Sequence, residues 1–312
     1  MTRGAASIGL HGWVAGVWET ARGAMRRAVG REDAGSDGAG WDGDEGELQH
    51  PFDQRYGVNT GGLIYGEDLG SGHPHDVHSA GYYATAPSLF EGAVALWRET
   101  VAGDGFGLSD YALVDVGCGK GRVVMLAAEH PFREVVGVEL NPNLARAARK
   151  NLRRWMRRPR ACSRVTVVEG DALPVPFPDG PVVIFFFNSF EREMVALLLK
   201  RLADLSARRA APIDLIYVHP EFGHCMQETP GVELVAEAEV AFSAEDAGAD
   251  AFGVAVDGCA VYDHAARLRR PCLPTDPFSN RRHTGKTHEA LCPRLLRLDA
   301  HPHARRTQAT PG

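Results

Sequence analysis

Between Phe52 and Tyr262 the apolar positions alternate between two spacings. Short unbroken runs stand at Ala112 to Val116, Val135 to Leu140, Val165 to Glu169, Val182 to Phe187 and Ile213 to Val218, each of strand length. Between them apolar residues recur every three or four positions. Phe90, Val94, Trp97 and Val101 form one helical stripe, opened after Pro87 by the capping-box spacing of Ser88 and Glu91. Val123 to Ala128 continues as a helix that must end before Pro131. Leu144, Ala148, Leu152 and Trp155 mark the buried face of another, which starts with Asn141 as N-cap and Pro142 in its first turn. A Leu-rich helix runs from Glu191 to about Leu205. Strand-helix alternation of this kind predicts an α/β fold, a doubly wound, mostly parallel sheet of Rossmann-like type, because parallel neighbours need crossover helices. Two last runs, Val232 to Val240 and Phe252 to Tyr262, lack a helix pattern between them, so an antiparallel C-terminal hairpin joined by the acidic turn at Asp246 to Asp250 is expected.

The flanks differ from this body. Ile8 to Val29 carries Trp13, Val17, Ala21 and Met25 at helical spacing, and Glu32 to Glu47 holds seven acids and no base, a disordered acidic linker. From His264 onwards ten Lys or Arg face three acids in a Pro-, Arg- and His-rich tail expected to be disordered, leaving a body with 24 basic and 37 acidic residues. The expected organisation is therefore an N-terminal helix and acidic linker over 1–50, a cap and pocket segment over 51–110, the core over 111–263 and the basic tail over 264–312. So acidic a body argues against a stable nucleic-acid complex, and the substrate is expected to be a small molecule or a protein. Eight basic residues between Arg146 and Arg160 read as a solvated helix face. No apolar stretch approaches the twenty or so residues of a transmembrane segment, and no secretory signal is recognisable. The six cysteines have no C-x-x-C spacing, which fits a cytoplasmic location. Oligomeric state is not readable. Gly285-Lys286-Thr287 resembles the end of a phosphate-binding loop, but Asn280 replaces the required glycine and no strand precedes it.

Chemistry concentrates at the strand ends. "DVGCGKG", Asp115 to Gly121, sets an acid two residues before a G-x-G-x-G turn, at the carboxyl edge where doubly wound sheets bind ligands. A dinucleotide would place its diphosphate on the following helix start, but its G-x-G-x-x-G fingerprint is broken at Arg122 and Asp115 would repel it. S-adenosylmethionine has no phosphate and offers a sulfonium and an ammonium to acids. Glu139, closing the second strand, is placed to bridge two ribose hydroxyls, and Asp171 of Gly170-Asp171-Ala172 to accept from an adenine amino group.

Together these residues resemble the class I S-adenosylmethionine-dependent methyltransferases, over roughly Gly81 to Tyr262. That resemblance implies S-adenosyl-L-methionine as cofactor, with Asp115, Gly117, Gly119 and Gly121 forming the first motif, Glu139 holding the ribose and Asp171 the adenine. "FFFNSFE", Phe185 to Glu191, ends the fourth strand. Its Asn188 and Phe190 are similar to the ends of the Asn/Asp-Pro-Pro-Tyr/Phe motif of amino-directed methyltransferases, although the prolines are missing and Ser189 stands in the middle. A shortened Asn-x-Phe also resembles the non-SET histone lysine methyltransferases. The implied activity is methyl transfer to an amine nitrogen of a small molecule or a protein lysine. A dinucleotide oxidoreductase and a non-catalytic adenosylmethionine-binding protein are the alternatives. His219, after the fifth strand, is a candidate base. Tyr82, Tyr83 and Thr85 in "SAGYYATAPSLF" are candidates to close over the sulfonium. "HPHDVH", His73 to His78, does not follow the H-x-H-x-D-H order of binuclear metal hydrolases, and no metal is expected.

Overall fold

The structure is a computed structural model that describes residues 50–78, 81–101, 105–264 and 296–298. The predicted N-terminal helix, acidic linker and nearly all of the basic tail lie outside the described residues.

Five parallel strands carry the centre of the sheet: β3 (Ala112–Val116), β4 (Glu134–Glu139), β5 (Val165–Glu169), β6 (Val182–Phe187) and β7 (Ile213–Val218). Crossover helices α3 (Arg122–Ala128), α4 (Pro142–Trp155) and α5 (Arg192–Ser206) follow β3, β4 and β6. β8 (Val232–Ala241) and β9 (Val256–His264) complete the sheet, β9 running antiparallel between β7 and β8 with a register shift at Leu234/Ala236. The order is β10-β8-β9-β7-β6-β3-β4-β5, with the short β10 (Leu296–Leu298) along β8. Chain order reverses between β3 and β6, so the ends of these strands flank the topological switch point.

One sheet face packs on α2 (Pro87–Val101), α3 and α4 through Phe90, Trp97, Val124 and Met125; the other packs on α5 and α6 (Gly223–Glu228) through Leu198, Leu202 and Met226. The predicted stripe of α4 is buried throughout, and Asn141 Oδ1 accepts the amides of Asn143 and Leu144 as its N-cap.

Two local expectations are corrected. Residues 244–249 form a helix, α7, and β9 begins at Val256 instead of Phe252. Ser243 caps α7, its Oγ accepting from the Asp246 amide, and Asp250 Oδ1 accepts from the amides of Phe252 and Val254, holding an irregular approach to β9. Nor does Ser88 open α2 with a capping box. Its own amide donates to Asp246 Oδ2 at 2.7 Å, its hydroxyl accepts from Ser243, and Glu91 meets His130. A carboxylate 158 residues further along the chain therefore satisfies the helix start, where negative charge is favoured.

A cap covers the mouth of the sheet. It comprises α1 (Pro51–Tyr56), the antiparallel pair β1 (Leu63–Ile64) and β2 (Tyr82–Tyr83), and the 3₁₀ turn Pro74–His78. Phe52 stacks on Trp155 at 5.5 Å, Arg158 lies over Tyr56, and Arg154 donates to the Gly57 carbonyl. The basic end of α4 is thus partly an anchor for this cap.

Candidate active site

The turn after β3 is fixed from below. Gly117 and Cys118 donate to the Val138 carbonyl, and Gly121 donates to Cys118. Gly117, Gly119 and Gly121 have φ of 77°, 54° and 85°, backbone that side chains disfavour. Close packing adds to this at two of them: a Cβ on Gly117 would lie 2.7 Å from Ser189 Cβ, and one on Gly119 would enter the Tyr82 ring. Gly121 instead lets α3 start against Ala148 of α4, outside the cavity lining.

The cavity opens over this turn. Asp115, Gly117 and Gly119 from the β3 end line it, with Glu139 from β4, Gly170 and Asp171 from β5, and Phe187, Ser189 and Phe190 from β6. Tyr82, Tyr83, Thr85 and His75 form the cap side. Glu139 is buried, its Oε2 accepting from the Gly119 amide at 2.7 Å and its Oε1 from the Asn141 amide at 2.9 Å. Each oxygen retains a second lone pair. Burial raises the pKa of this carboxyl against the lowering effect of the amides.

Asp115 is different. It is 4% exposed, and its Oδ2 has no hydrogen-bond partner among the described residues. Burial and then the neighbouring charge of Glu139 push its pKa well above the usual carboxylate range. A buried, unpaired carboxylate is costly in the free protein and favours a cationic ligand.

Arg122, which sequence reasoning did not single out as a site residue, also lines the cavity at 4% exposure. Its Nε donates to Thr60 Oγ1 and its Nη1 to the Thr85 carbonyl, while Asp53 stands 3.8 Å away. Asp53 is itself held by the amides of Thr60 and Gly61. Only the cap brings these groups onto α3, and the signal available in the sequence was an Arg in place of the expected glycine.

The remaining candidates divide. Tyr82 donates to the Thr60 carbonyl at 2.7 Å, and Tyr83 to Asp250 at 2.8 Å, so both rings are fixed in the cap wall. Asp171 accepts from the Leu173 amide and lies 3.1 Å from His75 Nδ1. Asn188 and His219 stand outside the lining. The Asn188 carboxamide donates to Glu221 at 2.9 Å and accepts from Tyr217, while His219 Nδ1 pairs with Asp257 at 2.8 Å. Both have left-handed backbone, with φ of 38° and 54°, which bends the chain sharply at the ends of β6 and β7. Among the described residues no helix is long and apolar enough to cross a membrane.

The parallel order β5-β4-β3-β6-β7 with an antiparallel β9 inserted beside β7, and an acid-glycine turn at the switch point, is the fold of the class I S-adenosylmethionine-dependent methyltransferases. Residues 113–209 match a family model described as a methyltransferase domain. Among solved structures, the magnesium protoporphyrin IX methyltransferase of Synechocystis PCC 6803 with bound SAM is 10% identical, covering 57% of this chain and 80% of that one at a TM-score of 0.39. An RNA methyltransferase from Salinibacter ruber in complex with S-adenosyl-L-homocysteine is 17% identical over 58% and 93%, at 0.35. TrmN from Thermus thermophilus is 19% identical over 57% and 48%, at 0.38. No curated protein sequence matches the chain.

Proposed function

We propose that the protein is a methyltransferase that binds S-adenosyl-L-methionine over the Gly117–Gly121 turn and methylates an amine nitrogen of a small molecule or a protein lysine. The observation that carries the cofactor is Asp115, a buried carboxylate without a partner, in one cavity with the buried guanidinium of Arg122. An α-amino-carboxylate group answers both charges, its ammonium to Asp115 and its carboxylate to Arg122. A dinucleotide's diphosphate would answer Arg122 alone and would face the acids Asp115 and Glu139. In this reading Glu139 accepts from the ribose diol through its remaining lone pairs, Asp171 from the adenine amino group, and Tyr83 and Thr85 close the cap side.

The cofactor supplies an electrophilic methyl group on a sulfonium whose leaving group departs neutral. What the chain's own residues must do is align the acceptor, keep water out and take up a proton. Phe187 and Phe190 provide an apolar wall for the acceptor, beside Ser189. With its carboxamide tied to Glu221 and Tyr217, Asn188 acts through its backbone, turning Ser189 and Phe190 toward the cavity.

Calorimetric titration of the full chain with adenosylhomocysteine tests the cofactor. One equivalent is expected to bind, and Asp115→Asn to weaken it by roughly ten- to a hundredfold, the loss of one charge-assisted bond. Binding of a nicotinamide dinucleotide instead would refute the assignment. Transfer from methyl-tritiated cofactor to amine, protein and RNA acceptors then tests the nitrogen reading.

A further inference from the structure

We propose that His73, His75 and Asp171 form a binding site for a divalent transition-metal ion, joining the cap to the loop after β5. One ligand atom from each of the three lies within 4.8 Å of the others. The closest pair, His75 Nδ1 and Asp171 Oδ2, is 3.1 Å apart. Tetrahedral zinc with bonds of about 2.0–2.1 Å needs ligand atoms roughly 3.3 Å apart, so one edge is already formed and the others need at most about 1.5 Å of closure.

The surroundings are organised for this. Asp76, the other acid of the segment, is used internally: its carboxylate accepts from the Ser71 amide and hydroxyl and from the His73 amide, which folds the turn so that the two histidine rings meet edge to face at 4.9 Å. Asp171 Oδ1 accepts from the Leu173 amide, which orients Oδ2 toward His75. A second partner of this kind fixes a metal-binding carboxylate. Two imidazoles and one carboxylate suit zinc, cobalt or nickel better than magnesium or calcium. Because His75 and Asp171 both line the cavity, the fourth position faces into it. The sequence concealed this site: the histidines match no metal motif, and their acidic partner comes from 96 residues further on. The site does not depend on the cofactor reading.

The test is titration of the full chain with Co²⁺ after treatment with a chelator. Visible absorption bands of four-coordinate Co²⁺ are expected at one equivalent and are expected to disappear when Zn²⁺ is added. His75→Ala and Asp171→Asn should each abolish the bands and weaken uptake at least tenfold, with His73→Asn as a further variant should either fail to fold. His78→Gln should leave the bands unchanged, since His78 faces Glu191. Absent bands, bands that survive Asp171→Asn, or bands lost with His78→Gln would each overturn the proposal.

Discussion

Asp214 on β7 shows how a single buried side chain sets a measurable property of the protein. It is 1% exposed and accepts from Trp97 Nε1 at 2.9 Å. On the next strand its register partner is another acid, Asp263. Burial and then the charge of Asp263 outweigh the Trp97 bond and push the Asp214 pKa up to about 7, against an unfolded value near 3.9. The folded state therefore holds the proton more tightly. The contribution to stability is fully present below about pH 4 and is lost as pH rises to 7, at up to about 1.4 kcal/mol per pH unit. Asp214→Asn keeps an oxygen for Trp97 and removes the titration. The stability of wild type minus that of the variant, from urea unfolding between pH 5 and 7, should fall steadily with rising pH. A flat difference would show that Asp214 ionises normally. At this scale the site was partly legible. The acids and glycines around Asp115 and Glu139 are adjacent to strand ends in the sequence, so pattern alone placed them at one edge. Arg122 was not identified because Thr60 and Asp53, which hold its guanidinium, are contributed by the cap some sixty residues earlier.

Secondary-structure elements were legible wherever a helix or strand carries its own signals. α4 has its cap, its first-turn proline and its buried stripe within the fifteen residues from Asn141 to Trp155, and all three are used. The capping of α2, whose stripe was legible, and the helix α7 were not, because each depends on the other. Asp246 of α7 accepts the Ser88 amide at the start of α2, and its other oxygen lies 3.3 Å from His50 beside α1. One carboxylate thus connects three elements that are far apart in sequence. Asp246→Ala should cost about 1–2 kcal/mol by loss of a cap. Because Asp246 is buried and also faces the buried His50, the cost should exceed that of Ser88→Ala, which removes one acceptor from Ser243. Chemical denaturation of the two variants checks the order. The helix propensity of 244–249 was obscured by the density of acids, which looks like a turn until their caps are seen.

At the scale of the whole molecule, the cap and the sheet meet at the cavity, and Asp171 is a point where two proposed ligands would compete. As an adenine partner its Oδ2 would accept from an exocyclic amine; as a metal ligand the same atom would be committed to the ion with His75. One carboxylate oxygen cannot serve both fully, so the two bindings should oppose each other. Linkage makes that opposition symmetrical: the factor by which Zn²⁺ weakens adenosylhomocysteine binding must equal the factor by which adenosylhomocysteine weakens Zn²⁺ binding. Loss of one hydrogen bond to a charged acceptor corresponds to a factor of about ten or more. Calorimetric titrations in both orders measure both factors, and Asp171→Asn should reduce each to about one. Mutual strengthening would mean instead that the ion closes the cap over the cofactor, with the adenine amino group contacting another acceptor and Asp171 belonging to the metal alone.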